Sequence, residues 1–215
     1  MRTMKIGIIG SGNIGGNAGL HFAKAGHEVL FSSRNPEKLS HLSSEAGPKA
    51  GTGTPEDAAQ FSDIIVLSVP YRAIPELAET LRGKLKDKII IDTCNPYPGR
   101  DGAIAEVVRG NRSRRQSQLT VEQFPQSHIV KALNTIYFVH LKEYAFREPG
   151  NRIALPIAGN DVAAKQTVTR LFDQIGFDTV DIGTIADSRP MEVDDILYNK
   201  PMNSFQIKAI LEQEP

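Results

Sequence analysis

The stretch that most restricts this chain is Gly10-Ser11-Gly12-Asn13-Ile14-Gly15, which closes the short apolar run Ile6–Gly10. Glycines alone only mark turns. Three of them at this spacing, behind a buried-strand pattern and ahead of a helical one, specify a dinucleotide-binding turn. Gly10 permits the tight turn, Gly12 leaves room for a pyrophosphate against the backbone, and Gly15 lets helix and strand pack closely. The next helix offers free N–H groups and the positive end of its dipole. Ser11, Asn13 and Ile14 complete this candidate cofactor-binding turn.

The downstream pattern supplies the rest of such a fold. Asn13–Ala25 reads as a helix, with Ile14, Ala18, His21, Phe22 and Ala25 near one face and Gly26 as its C′ residue. Val29–Phe31 is a second strand. Asn35 and Pro36 read as cap and first turn of another helix, and Thr54-Pro55-Glu56-Asp57 repeats that signal before a short one. Asp63–Pro70 and Lys88–Pro96 are buried strands closed by proline, with a helix over Ala73–Leu81 between them. A long polar stretch runs from Tyr97 to about Gln118. His128–Thr135 reads as a strand and its loop. Arg152–Gly159, a helix near Asp161–Ile175 and Asp178–Gly183 follow, with a polar segment from about Asp187. The alternation predicts an α/β, Rossmann-type doubly wound, largely parallel sheet, its strand C-termini along one edge. The expected division is a nucleotide-binding domain over 1–140 and a C-terminal α/β extension over 141–215 that completes an acceptor cleft.

The end of the second strand decides which dinucleotide. An acidic residue there bonds the ribose of NAD and repels a 2′-phosphate. This chain has Ser32-Ser33-Arg34-Asn35 instead. Arg34 can fork onto a phosphate and lie across an adenine face. Ser32, Ser33 and the Asn35 backbone add donors, and Lys38 stands one turn further on. The expected cofactor is therefore NADP(H).

Composition narrows the partners. Lysine and arginine total 25 and aspartate and glutamate 25, so a balanced charge points away from nucleic acid and anionic membranes. The single Cys94 excludes an internal disulfide, and no apolar run approaches a membrane span. A strand pattern starting almost at residue 1 argues against a signal peptide and predicts a cytoplasmic protein. The five histidines show no metal-ligand spacing, and no catalytic triad is visible. Cys94 reads as a small buried filler or a reactive thiol. Asn95 and Asn134 are candidate hydrogen-bond partners for an amide or a ribose, or loop braces. Arg109, Arg112, Arg114 and Arg115 either grip an anionic tail or form a solvated loop.

Read together, IGIIGSGNIGG, AGHEV, SSRNPEK and IIVLSVP resemble the NADPH-dependent reductases of coenzyme F-420, an 8-hydroxy-5-deazaflavin. The same pattern occurs in the reductase domain of the STEAP metalloreductases, which pass hydride from NADPH to a flavin. KALNT (Lys131–Thr135) and PIAGND (Pro156–Asp161) extend the resemblance over nearly the whole chain. It implies that Ser68, Val69, Pro70 and the Tyr71-Arg72 loop line the NADP edge. It also implies that Ala132-Leu133-Asn134-Thr135 lies by the nicotinamide, with a second redox cofactor stacked in the cleft. The archaeal deazaflavin reductases resemble HTIP where this chain has Asn134-Thr135-Ile136-Tyr137, so their histidine and proline are absent here.

Three readings follow. The first is hydride transfer between NADPH and a flavin-like acceptor, namely coenzyme F-420, FMN or FAD. Two bound cofactors would carry that chemistry without a protein nucleophile. The second is a small-molecule dehydrogenase of the imine or hydroxyacid type, although such enzymes usually add a large helical domain and only about 75 residues remain here. The third is a non-catalytic NADP sensor. A homodimer is the commonest assembly for such a chain, and the apolar residues of the C-terminal tail would serve a partner or close the cleft.

Overall fold

The computed structural model describes residues 3–213. β1 (Lys5–Ile9) runs into α1 (Asn13–Lys24) and then β2 (Glu28–Ser32). A 3-10 turn (Pro36–Leu39) and α2 (Ser40–Ala46) lead to β3 (Ala50–Gly53). Next come α3 (Pro55–Phe61), β4 (Ile64–Leu67), α4 (Ile74–Thr80) and β5 (Ile89–Asp92). Three short helices, α5 (Pro98–Asp101), α6 (Ala103–Gly110) and α7 (Gln118–Gln123), precede β6 (His128–Lys131). After these stand α8 (Phe138–Glu143), β7 (Ala154–Gly159), α9 (Val162–Gln174), β8 (Asp178–Asp181) and α10 (Ser204–Leu211).

The eight strands form one sheet in the order β3-β2-β1-β4-β5-β6-β7-β8. The first six are parallel, β7 is antiparallel to β6, and β8 runs parallel to β7. This is the expected doubly wound architecture. Strand residues alternate between two cores. Ile6, Ile8, Val66, Ile91 and Val130 face one, with Phe22 of α1 and Phe172 of α9. Ile9, Ile65, Leu67, Ile90 and Ile129 face the other, with Ala58 of α3, Ile74 of α4 and Val108 of α6. Pro156 is tolerated inside β7 because β6 pairs only with Ala158 and Gly159, leaving the proline half of the strand a single neighbour, β8.

Several local expectations change. The stretch from Tyr97 to Gln118 carries α5 and α6. Ala105 and Val108, three apart, give α6 a buried side beneath its charged residues. The segment after Asp187 carries α10, whose Ile207 packs with Leu197, Ala154 and Val180 in a third small core. Asn35 precedes a 3-10 turn and makes no side-chain cap; its own N–H bonds Ser33 Oγ at 3.0 Å. Thr54 does cap α3, in a reciprocal capping box with Asp57. Among the described residues no helix is long and apolar enough to cross a membrane.

Candidate functional site

Strand order reverses at β1 and β4, and open α/β sheets bind ligands at the strand C-termini of that crevice. The glycine turn sits there. Gly10 has φ +93°, and a Cβ on it would lie 2.3 Å from Ser68 O, so the turn closes against the end of β4. A Cβ on Gly15 would lie 2.1 Å from Gly10 O. A Cβ on Gly12 would meet nothing within 4 Å, because it points into open space. Gly12 begins α1 with no side-chain cap, so the helix N–H groups remain available. Ser11 Oγ donates to Ser32 O at 3.2 Å, joining this turn to the end of β2. A cradle left open at Gly12 and uncapped N–H groups fit a dinucleotide diphosphate, and an unpaired cation follows the end of β2.

That cation is Arg34, which is exposed and has no ion pair among the described residues. Lys38 is exposed beyond it. Ser32 is fully buried and donates to Ile8 O at 2.8 Å, so its hydroxyl braces β1 against β2. Ser33 is half-buried, and its Oγ holds the Asn35 N–H.

On the other side of the turn lies a cleft of about 460 Å³. Gly12, Asn13 and Ile14 line it, with Ser68, Val69 and Pro70 from the end of β4 and Asn95 from the end of β5. Asn134, Ile136 and Tyr137 come from the loop after β6, and Tyr198 and Asn199 from the C-terminal tail. Ala132 does not reach the cleft, since it is sealed in the core; its neighbour Leu133, at φ +59°, turns the loop so that Asn134 does.

A buried network holds these loops. Asp92 Oδ1 accepts from Cys94 N at 2.9 Å, and Asp92 Oδ2 accepts from Thr120 Oγ1 at 3.0 Å. Lys131 Nζ stands 3.4 Å from Asp92 Oδ2 and donates to Cys94 O; both side chains are almost fully buried. Burial and the Asp92 charge push the Cys94 thiol pKa far up, which leaves an inert filler. Asn95 Nδ2 donates to Asn134 O at 2.8 Å, and Asn134 Nδ2 donates to Met191 O at 2.7 Å. Arg100 is the one charged residue lining the cleft; it grips Asp101 and donates to Asn95 O at 2.7 Å. Burial alone would raise the Asp101 pKa. Arg100 and the Tyr97 and Arg72 N–H groups outweigh it and hold the carboxyl below its ordinary range.

The arginine-rich loop clasps the tail. Arg109 pairs with Asp194, Arg189 donates to Arg112 O, and Gln116 N donates to Glu192 Oε1 at 2.7 Å. The tail then crosses the cleft. Asn199 N donates to Thr135 O at 2.9 Å, and the Tyr198 and Tyr97 hydroxyls meet at 2.5 Å. The sequence places Tyr198 among the tail residues that serve a partner or close the cleft, but gives no sign of its pairing with Tyr97, 101 positions away.

The family model for NADP oxidoreductase, coenzyme F-420-dependent, matches residues 5–96. The F-420-dependent NADP reductase of Methanothermobacter thermautotrophicus is 30% identical over 203 residues, covering 88% of this chain and 85% of that protein. The chain belongs to the family of coenzyme F-420-dependent NADP reductases. It is an NADP(H)-linked oxidoreductase. Rat (Rattus norvegicus) metalloreductase STEAP3 is 29% identical over 191 residues, 87% of this chain and 36% of that protein, so the chain spans about a third of it. The crystal structure of a hypothetical protein from Sinorhizobium meliloti superposes with a TM-score of 0.79 at 25% identity, covering 94% of this chain and 96% of that one.

Proposed function

We propose that this reductase exchanges hydride between NADP(H) and a flat, flavin-like acceptor: coenzyme F-420, or otherwise FMN or FAD. The observation that carries the reading is the chemistry of the cleft wall. Beside the nucleotide turn it offers tyrosine rings, amides and small apolar groups, with no lysine, histidine or carboxylate lining it. Reduction of a small carbonyl or imine through a lysine, histidine or carboxylic acid finds no such group on this wall, which leaves tyrosine hydroxyls as its donors. Exchange between two redox cofactors calls for their alignment, which an aromatic cleft beside the nucleotide turn supplies. The C-terminal extension, over its described residues 141–213, adds two strands and a tail beside the cleft.

In this reading Gly10, Ser11, Gly12, Asn13, Ile14 and Gly15 hold the pyrophosphate, while Ser33, Arg34 and Lys38 hold the 2′-phosphate. Ser68, Val69 and Pro70 flank the nicotinamide half, with Asn95 and Asn134 as its amide partners. Stopped-flow absorbance at the NADPH band, with coenzyme F-420, FMN and FAD offered separately, tests the assignment. Rapid oxidation with one acceptor supports it. Tight NADPH binding with no oxidation by any of the three refutes it, and turns the search to carbonyl and imine substrates.

A further inference from the structure

The hydroxyl pair in the cleft roof has one hydrogen too many. Tyr97 OH and Tyr198 OH lie 2.5 Å apart, so one donates to the other. The other contact, Asn95 Nδ2 to Tyr97 OH at 3.3 Å, brings in a further donor and consumes no phenolic hydrogen. Among the described residues neither hydroxyl meets any other acceptor. One O–H is therefore left to donate, on two residues that both line the cleft. Its oxygen already accepts a hydrogen bond, which polarises it and makes it the stronger donor.

We propose that the Tyr97–Tyr198 pair is catalytic: it donates this hydrogen bond to a conjugated carbonyl oxygen of the acceptor, where negative charge gathers during reduction. The inference rests on the flavin-like reading given above. When bound, NADPH would supply the hydride: the C–H bond broken on its dihydropyridine ring becomes a C–H bond on coenzyme F-420 or an N–H bond on FMN or FAD, and the acceptor takes two electrons while the nicotinamide is oxidised. The phenol keeps its proton, and water supplies the one that completes the reduction. Burial and the bond to Tyr97 push the Tyr198 pKa up, so this hydroxyl remains a donor at neutral pH. Arg100 lies over the Tyr97 ring, 4.9 Å from its centroid, and fixes one partner. The clasped tail fixes the other.

The test is Tyr97→Phe/Tyr198→Phe, which keeps both rings. Binding of oxidised coenzyme F-420, FMN and FAD with NADP⁺ present is read by quenching of the acceptor's own fluorescence, and single-turnover NADPH oxidation is read in parallel. The double variant is expected to bind the wild-type acceptor about tenfold more weakly and to react about 100-fold more slowly. NADPH affinity and melting temperature stay near wild type. Each single variant keeps one hydroxyl and loses less, and the larger single loss supports the proposal by identifying the donor. Acceptor binding and rate equal to wild type in all three variants overturn the pair's role while leaving the flavin-like reading intact. Equal weakening of NADPH and acceptor also overturns it, by assigning the pair to the nucleotide. A wild-type protein that binds none of the three acceptors overturns both.

Discussion

At the scale of single residues, the nucleotide site makes opposite demands on its glycines. Gly12 borders open space, whereas Gly15 borders backbone. Gly12→Val should therefore leave the free protein folded with little change in melting temperature, yet abolish binding of NADPH and NADH alike in calorimetric titration. Gly15→Ala should do the reverse to stability. Helix propensity alone favours alanine by about 1 kcal/mol, but a Cβ placed 2.1 Å from Gly10 O forces the helix off the strand and costs more than that. Normal nucleotide binding by Gly12→Val would show that the turn is not the site. Arg34 answers a different question, since it is exposed and holds nothing in place. Arg34→Ala is expected to weaken NADPH by about 1–3 kcal/mol for a lost charge-assisted contact, with NADH nearly unchanged. Equal losses for both would remove the 2′-phosphate assignment.

Among elements, the parallel strands were the most legible part of the chain. β1, β4 and β5 are buried on both faces and so read as unbroken apolar runs bounded by glycine or proline. β3 escaped notice because Ala50-Gly51-Thr52-Gly53 has one buried residue and no alternation. α5, α6 and α8 are too short to show a period beneath the surrounding charge. What no pattern reveals is how the strand ends are braced. Asp92 and Lys131 close β5 and β6 and form a buried ion pair that also anchors the Cys94 carbonyl beside the cleft. Removing one partner of such a pair strands the other charge. Lys131→Met should cost about 3–5 kcal/mol in urea unfolding. A loss below about 1 kcal/mol would mean that Asp92 is sufficiently held by Thr120 and the Cys94 N–H alone.

The second half of the molecule was legible in its strands β6, β7 and β8 and its helix α9, but not in the tail that lines the cleft. The nucleotide cradle lies within the first hundred residues and follows local rules of turn and cap. The roof depends on a tail clasped by the arginine loop, a contact between distant segments that no spacing encodes. The two halves also meet on the far side of α1, where two histidines are held neutral. His27 Nδ1 accepts from Met4 N at 3.1 Å, so its proton sits on Nε2 and is shared with Gln174 Oε1 of α9 at 2.5 Å. His21 Nε2 meets Leu141 O of α8 at 3.0 Å. Burial is the largest influence on both and lowers both pKa values, against hydrogen bonds that oppose it; lysines nearby push the same way as burial. A histidine whose pKa is lower folded than unfolded binds more protons in the unfolded chain. Its stabilising effect is complete above the unfolded value, about 6.5, and is lost as pH falls from there toward the folded value. Glu192 runs the other way: burial raises its pKa, so its contribution is present at low pH and declines as pH rises through the folded value. Between pH 7 and 5 the two histidines should dominate, with a slope of at most about 1.4 kcal/mol per pH unit for each. His27→Gln removes one of them. It should lower the melting temperature at pH 7.5, where the Met4 and Gln174 contacts are lost, and flatten the fall between pH 7 and 5. A variant that melts lower at every pH with an unchanged slope would show that protonation at this junction does not govern acid unfolding.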